Sequence, residues 1–217
     1  MGLRITNTSG DRPAVYLYGV IGDEYGGITS DDFRKELAQI PSKQAIDLHI
    51  HSDGGSFFDG VAMHSAISQR KGAVNVVVDG LAASAASLVA MAGDSITMAK
   101  HSWMMIHEAH GAMRGRAADF RTAADRLDAT NGEIMSIYAN RWKGSSEELR
   151  AALDAETWLD AEQSVAMGLA DNVGESLSIA ACIDRTFGYK HAPDALLRAE
   201  MSPAMQAREA KLRIFSV

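Results

Sequence analysis

Three times in succession a short apolar strand pattern runs into a glycine and then into a helical pattern. That repeat constrains the fold more than any other feature of the chain. Ala14-Val15-Tyr16-Leu17-Tyr18-Gly19-Val20 is rich in β-branched and aromatic residues, and Thr29-Ser30-Asp31-Asp32 then caps a short helix carrying Phe33 and Leu37. Ala45-Ile46-Asp47-Leu48-His49-Ile50 alternates as a second strand, Gly54-Gly55 breaks it, and Phe57–Ser68 reads as a helix. Val74-Asn75-Val76-Val77-Val78 is nearly continuous in apolar residues, so burial on both faces is expected. Gly80 ends that strand, and a helix is expected over 82–92, with two further strands over 95–98 and 103–106. Strand, turn, helix in repetition is the pattern of parallel crossover units in an α/β protein.

The stretch 115–142 breaks the rhythm. It has no proline and one internal glycine, Gly132, while Phe120, Leu127 and Ile134 recur every seven residues with Ala124 and Tyr138 between them. One helix of about 28 residues is expected, about 40 Å long at 1.5 Å per residue. A helix that long would extend beyond a body of this size, so its stripe packs either on its own core or on a second copy. Spacing alone leaves both open.

Composition excludes several classes of function. Hydrophobic residues at 47% and charged residues at 23% exclude a mainly disordered chain. No apolar run reaches the roughly 18 residues that span a bilayer, and the first residues reach polar Asn7, Thr8 and Ser9 without a signal region. A cytoplasmic location without membrane contact is therefore expected. Cys182 is the single cysteine, which excludes an internal disulfide and a Cys-based zinc cluster. A net charge of −7 argues against a nucleic-acid partner. At 217 residues one domain with an appendage is expected: a body over 1–177 and a loosely attached, partly helical tail over 178–217. From Lys190 onward five Lys/Arg stand against three acids, and Pro193 and Pro203 interrupt the helical pattern.

Sites in open α/β sheets form at the carboxyl ends of strands, and three such turns carry chemistry. His51-Ser52-Asp53-Gly54-Gly55-Ser56 can turn backbone N–H groups outward towards an oxyanion, or can be only a tight turn. Gly80-Leu81-Ala82-Ala83-Ser84-Ala85-Ala86-Ser87 places a sterically open serine at a helix start, where it reads equally as an N-cap. Gly-x-Ser-x-Gly is absent, so the α/β-hydrolase nucleophile elbow does not apply. Met104-Met105-Ile106-His107-Glu108-Ala109-His110 delivers an imidazole to the sheet edge. Its His-Glu-x-His is one residue short of the zincin pattern, and a metal reading with His101, His107, Glu108 and His110 stays open. Together the turns offer a nucleophile, a base and backbone donors, the requirements of acyl transfer.

Asp53-Gly54-Gly55, Gly80-Leu81-Ala82-Ala83-Ser84 and Met105-Ile106-His107, in that order and spacing, resemble the three motifs of the ClpP-type serine peptidases, the proteolytic subunits of Clp protease. The resemblance runs over about 15–173. It implies a ClpP/crotonase-like α/β fold with 115–142 as a protruding handle helix, and a serine endopeptidase with no cofactor. It also implies a homo-oligomer of stacked rings. Residue by residue, it puts Ser84 at the nucleophile and His107 at the general base, with the Gly55 and Ala85 N–H groups at the oxyanion hole. The acid falls ahead of the segment Asp160-Ala161-Glu162 to Gly168-Leu169-Ala170-Asp171, at Glu156, where the family usually has Asp; Asp154 is its rival. Asp53 stands where the family commonly has proline.

The charged, Ala/Met-rich tail over 196–215 resembles the bacteriophage head-maturation (prohead) branch, whose substrates are scaffold and capsid proteins and which uses no ATPase. Four other readings remain: a general cytoplasmic peptidase served by an unfoldase ATPase, a Ser84–Lys100 dyad, a crotonase-type acyl-CoA enzyme, and an inactive scaffold subunit. A neutral imidazole as base leads to the expectation of one titration near neutrality, since free histidine titrates near 6.5.

Overall fold

A computed structural model describes residues 3–6, 12–175, 189–193 and 196. The edge strand β1 (Leu3–Thr6) runs antiparallel to β2 (Ala14–Tyr18), and β3 (Ile46–Ser52) and β4 (Val74–Ala83) follow in parallel. Beyond β4 lie β5 (Ser95–Ala99) and β8 (Asn172–Gly174), giving the order β1-β2-β3-β4-β5-β8. Alternation sets which face is covered. Val15, Leu17, Ile46, Leu48, Ile50, Val74, Val76 and Val78 are buried in one core with Phe33 and Leu37 of α1 (Ser30–Leu37), Met63 and Ile67 of α2 (Phe57–Ser68), and Leu88 and Val89 of α3 (Ala85–Ala90). Each such side chain contributes about 1.5–3 kcal/mol by leaving water.

The third strand is not buried on both faces as expected. Asn75 and Val77 are only half-buried, on the face that also carries Tyr16, Tyr18 and His49. On that face Asp79 is buried and accepts from Tyr18 Oη at 2.5 Å, with His49 Nδ1 at 2.9 Å. The apolar run is a covered face plus a valine on the other, not two covered faces.

A larger departure is the length of β4, which continues through Gly80 to Ala83 instead of ending there. Its first half, 75–78, pairs with β3 and β5. Its second half, 81–83, pairs with β6 (Trp103–Ile106), which in turn pairs antiparallel with β7 (Thr157–Asp160). A glycine that reads as a stop sits here inside a strand that changes partner. The helix expected over 82–92 therefore begins only at Ala85. Its alanines permit a close approach: a Cβ on Gly60 of α2 would lie 3.0 Å from the Ala85 Cβ.

The long helix, α4, spans Ala117–Ala139, 23 residues rather than 28. Its N-terminus is held by Asp119, whose carboxylate accepts from the Arg116 N–H at 2.7 Å. The stripe divides along its length. Ile134 and Tyr138 are buried in the body, Leu127 is half-buried, and Phe120 is 50% exposed. Then come α5 (Ser146–Asp154), started by a Ser145/Glu148 capping box, and α6 (Ala161–Ala166), started by Asp160 and Gln163. Helix α6 stops at Ala166, and Gly168, with φ 85, turns the chain towards β8. Cys182 and the tail helix expected over 196–215 lie outside the described residues, Leu196 excepted. Leu196 is 4% exposed and packs with Leu81, Ala83 and Met105. Among the described residues no helix is long and apolar enough to cross a membrane.

Candidate active site

Ser84 stands between the last residue of β4 and the first of α3 with φ 54 and ψ −124. A non-glycine residue in such a conformation costs about 1–3 kcal/mol, and it persists only where the surroundings hold it. Its N–H donates to Met105 O at 3.0 Å, continuing the β4–β6 ladder one step. Although Ser84 occupies the N-cap position, its side chain makes no capping bond. The hydroxyl is bonded elsewhere: Ser84 Oγ lies 2.7 Å from His107 Nε2. Register explains the meeting. Ala83 pairs with Met105 in parallel, so the chains leave adjacent strand ends together, and His107 follows β6 directly.

Gly54 makes room for this turn. It has φ 87, and a Cβ there would lie 2.5 Å from Ala83 O and 2.8 Å from Ser84 Cβ. The strained strand-to-helix serine is thus present without Gly-x-Ser-x-Gly. The space comes from a glycine on the neighbouring strand's turn and from alanines beside the serine.

Burial, reinforced by the like charge of His110 and opposed by Glu156, lowers the His107 pKa to about 4. The imidazole is therefore neutral at pH 7, and the expected titration near neutrality is displaced downward. Neutral Nε2 can accept the Ser84 proton. His110 packs edge-on at 5.1 Å between ring centroids. Ser84, Ala85, Gly55 and His107 line one cavity of about 250 Å³, whose apolar wall includes Phe57, Leu88 and Tyr138.

Two of the lining residues, Gly55 and Ala85, carry backbone N–H groups outside the local ladder and helix bonds. Ile21 N–H donates to Gly54 O, and Ser56 N–H donates to Ile21 O, so this bridge leaves the intervening Gly55 N–H unused. The Ala85 N–H is the first of α3, among those that have no acceptor within their own helix.

The acid is arranged differently. Ile106 pairs with Thr157, so one further step of that antiparallel register sets Glu156, with φ 52, opposite His107. Asp154 ends α5 and is exposed. Glu156 does not hydrogen-bond His107, however. Its Oε1 accepts from His191 N–H at 2.8 Å and Trp158 Nε1 at 3.2 Å, and its Oε2 accepts from Lys190 N–H at 3.0 Å. Burial pushes this carboxyl up, but the His191, Lys190 and Trp158 donors together with His107 outweigh burial and hold it below the ordinary range.

Sequence reasoning missed this part of the site. Tyr189 stacks edge-on against His107 (5.7 Å) and Trp158 (5.5 Å), and its hydroxyl donates to Asp53 O at 2.5 Å. No pattern in the tail signals the contact, since Phe187 and Tyr189, among polar and small residues, set no period that points to a partner.

The other candidate residues do not converge. His101 and Lys100 sit exposed on the turn after β5. Among the described residues no three His, Cys, Asp or Glu are grouped to hold a metal ion. The Ser84 hydroxyl is already bonded to an imidazole, which disfavours Lys100 as its base.

Comparison with known proteins shows the family. The chain is 29% identical over 154 residues to the ATP-dependent Clp protease proteolytic subunit 1 of Prochlorococcus marinus (strain NATL2A), covering 67% of this chain and 79% of that protein. Among solved structures it is similar in fold to a point mutant of ClpP1 from Listeria monocytogenes, with a TM-score of 0.66 at 24% identity, over 75% of this chain and 91% of that one. The family model described as Clp protease matches residues 30–177. The chain belongs to the Clp protease family, whose members are homo-oligomeric serine endopeptidases acting on protein substrates.

Proposed function

We propose that the chain is a serine endopeptidase in which Ser84 attacks the peptide carbonyl and His107 takes its proton and returns it to the leaving amine. The Gly55 and Ala85 N–H groups receive the developing oxyanion, a type of donor typically worth about 10²–10³ in rate. Glu156 supports the imidazolium by its charge. The observation that carries this reading is the 2.7 Å contact between Ser84 Oγ and the neutral ring of His107, in one cavity with both N–H groups.

The subunit acts within rings stacked in pairs, on segments of scaffold or capsid protein, as in the bacteriophage head-maturation branch. Its setting is the host cytoplasm or an assembling shell. Two observations support this. The N-terminal half of α4 leaves Phe120 exposed, as an interface would. The family match ends at residue 177, so the segment beyond it is an addition to the matched region. Similarity to a relative described as ATP-dependent favours a second reading, service to an unfoldase ATPase.

Hydrolysis of a fluorogenic peptide and of casein by the wild type and by Ser84→Ala tests the chemistry. Activity that Ser84→Ala abolishes and chelators leave intact is the expected result. Activity retained in Ser84→Ala, or turnover of an acyl-CoA thioester in its place, would overturn the reading.

A further inference from the structure

The Ser84–Ala85 peptide unit carries the carbonyl of the nucleophile and the N–H of a proposed oxyanion donor. A peptide unit is planar and trans, so its C=O and N–H point in opposite directions. Whatever fixes the Ser84 carbonyl therefore aims the Ala85 N–H. Three donors converge on that carbonyl: Ser87 N–H at 2.9 Å, Leu88 N–H at 3.3 Å and the Ser87 hydroxyl at 2.6 Å.

Ser87 is completely buried, and its hydroxyl has two further partners, Met105 O at 2.9 Å and Tyr138 Oη at 2.7 Å. One hydroxyl proton serves the two carbonyls, so the bond with Tyr138 must be donated by the phenol. Burial pushes the Tyr138 phenol pKa up, keeping it the O–H donor that this arrangement needs. Met105 O also accepts the Ser84 N–H, two residues before His107. A single polar knot thus joins α4, α3 and the end of β6. Ser87, Tyr138 and Met105 are buried in the core, where an unpaired hydroxyl would be costly.

We propose that Ser87 and Tyr138 are positioning residues for the oxyanion site: through the Ser84 carbonyl they hold the Ala85 N–H aimed into the cavity. The inference rests on the serine-peptidase reading above and deepens it. It ties α4 to the oxyanion site, because Tyr138, which donates to the Ser87 hydroxyl that holds the donor peptide, is on the same helix whose outer half is exposed.

The experiment measures kcat, KM and the affinity for a peptide boronate, whose tetrahedral adduct occupies the oxyanion site, on the full-length protein with active sites counted by fluorophosphonate labelling. Tyr138→Phe removes one oxygen and keeps the packing. It should lower kcat and boronate affinity together by about three- to tenfold, the scale of one net hydrogen bond, with KM within twofold of wild type. Ser87→Ala should lower both further, by about ten- to a hundredfold, below the limit set by losing an oxyanion donor outright. A purely structural role would lower the melting temperature and leave kcat per labelled site and boronate affinity unmoved. That result in Tyr138→Phe, or a rise in KM alone, overturns the inference and leaves the peptidase reading standing. A wild type that neither labels at Ser84 nor binds the boronate removes the peptidase reading, and the inference falls with it.

Discussion

The two sides of His107 are built to different standards. On the nucleophile side everything comes from adjacent strand ends. Ser84 and His107 emerge together from the Ala83/Met105 pair, meet at 2.7 Å, and share the buried knot of Ser87 and Tyr138. On the acid side, Glu156 arrives opposite His107 by the β6–β7 register, but its oxygens accept from Trp158 and from the tail's Lys190 and His191 N–H groups. On the proposed mechanism, Ser84 and His107 are preassembled, whereas Glu156 acts on the ring only through its charge. Dependence of turnover on these residues should follow that order.

The largest effect should come from Ser84→Ala or His107→Ala, each reducing kcat by about 10⁶, because either one dismantles the preassembled pair. Glu156→Gln should cost far less than His107→Ala, since it removes a charge near the imidazole and no bond to it. Full activity in Glu156→Gln with Asp154→Asn crippled would transfer the role to Asp154 and dissolve the contrast. The smallest effect tests the tail. Truncation after residue 188 removes two donors that compete with His107 for the Glu156 carboxylate. Turnover should therefore rise by a few-fold, read as kcat per labelled site, while the melting temperature falls because Leu81, Ala83 and Met105 lose Leu196. A fall in kcat with no change in KM would mean instead that the tail completes the acid.

How much of this could be read from the chain depended on whether the signal was local. Ser84, His107, Gly55 and Ala85 lie in turns whose glycines and small residues announce close backbone approach, and the structure gathers all four around one cavity. The strand patterns over 14–20, 45–50 and 103–106 are legible from alternation and apolar runs, and strands form there at 14–18, 46–52 and 103–106. Three features were not. The extension of β4 through Gly80 depends on pairing with β6, which no local propensity encodes. β8 is a three-residue strand whose pairing partner, β5, is far away in sequence. The Ser87–Tyr138 bond joins residues 51 apart, and each alone reads as an ordinary core residue. The same holds for Tyr189, whose contact with the Asp53 carbonyl spans 136 residues.

The base itself offers the most direct test. Its pKa is lowered to about 4 by burial and by His110 against the pull of Glu156, while an unfolded chain's histidine titrates near 6.5. Between those values the unfolded state binds the extra proton, so this group's contribution to stability is lost as pH falls from about 6.5 towards 4. The neutral form is also the one that activates Ser84 in the proposed mechanism. The measurement is the rate of fluorophosphonate labelling against pH on the full-length protein, with the adduct mapped by mass spectrometry. The account predicts an adduct on Ser84, a rate level from about pH 5.5 to 8, and a single fall centred near 4. An adduct on another residue, or a midpoint at or above 6.5, would contradict a buried, neutral, preassembled Ser84–His107 pair.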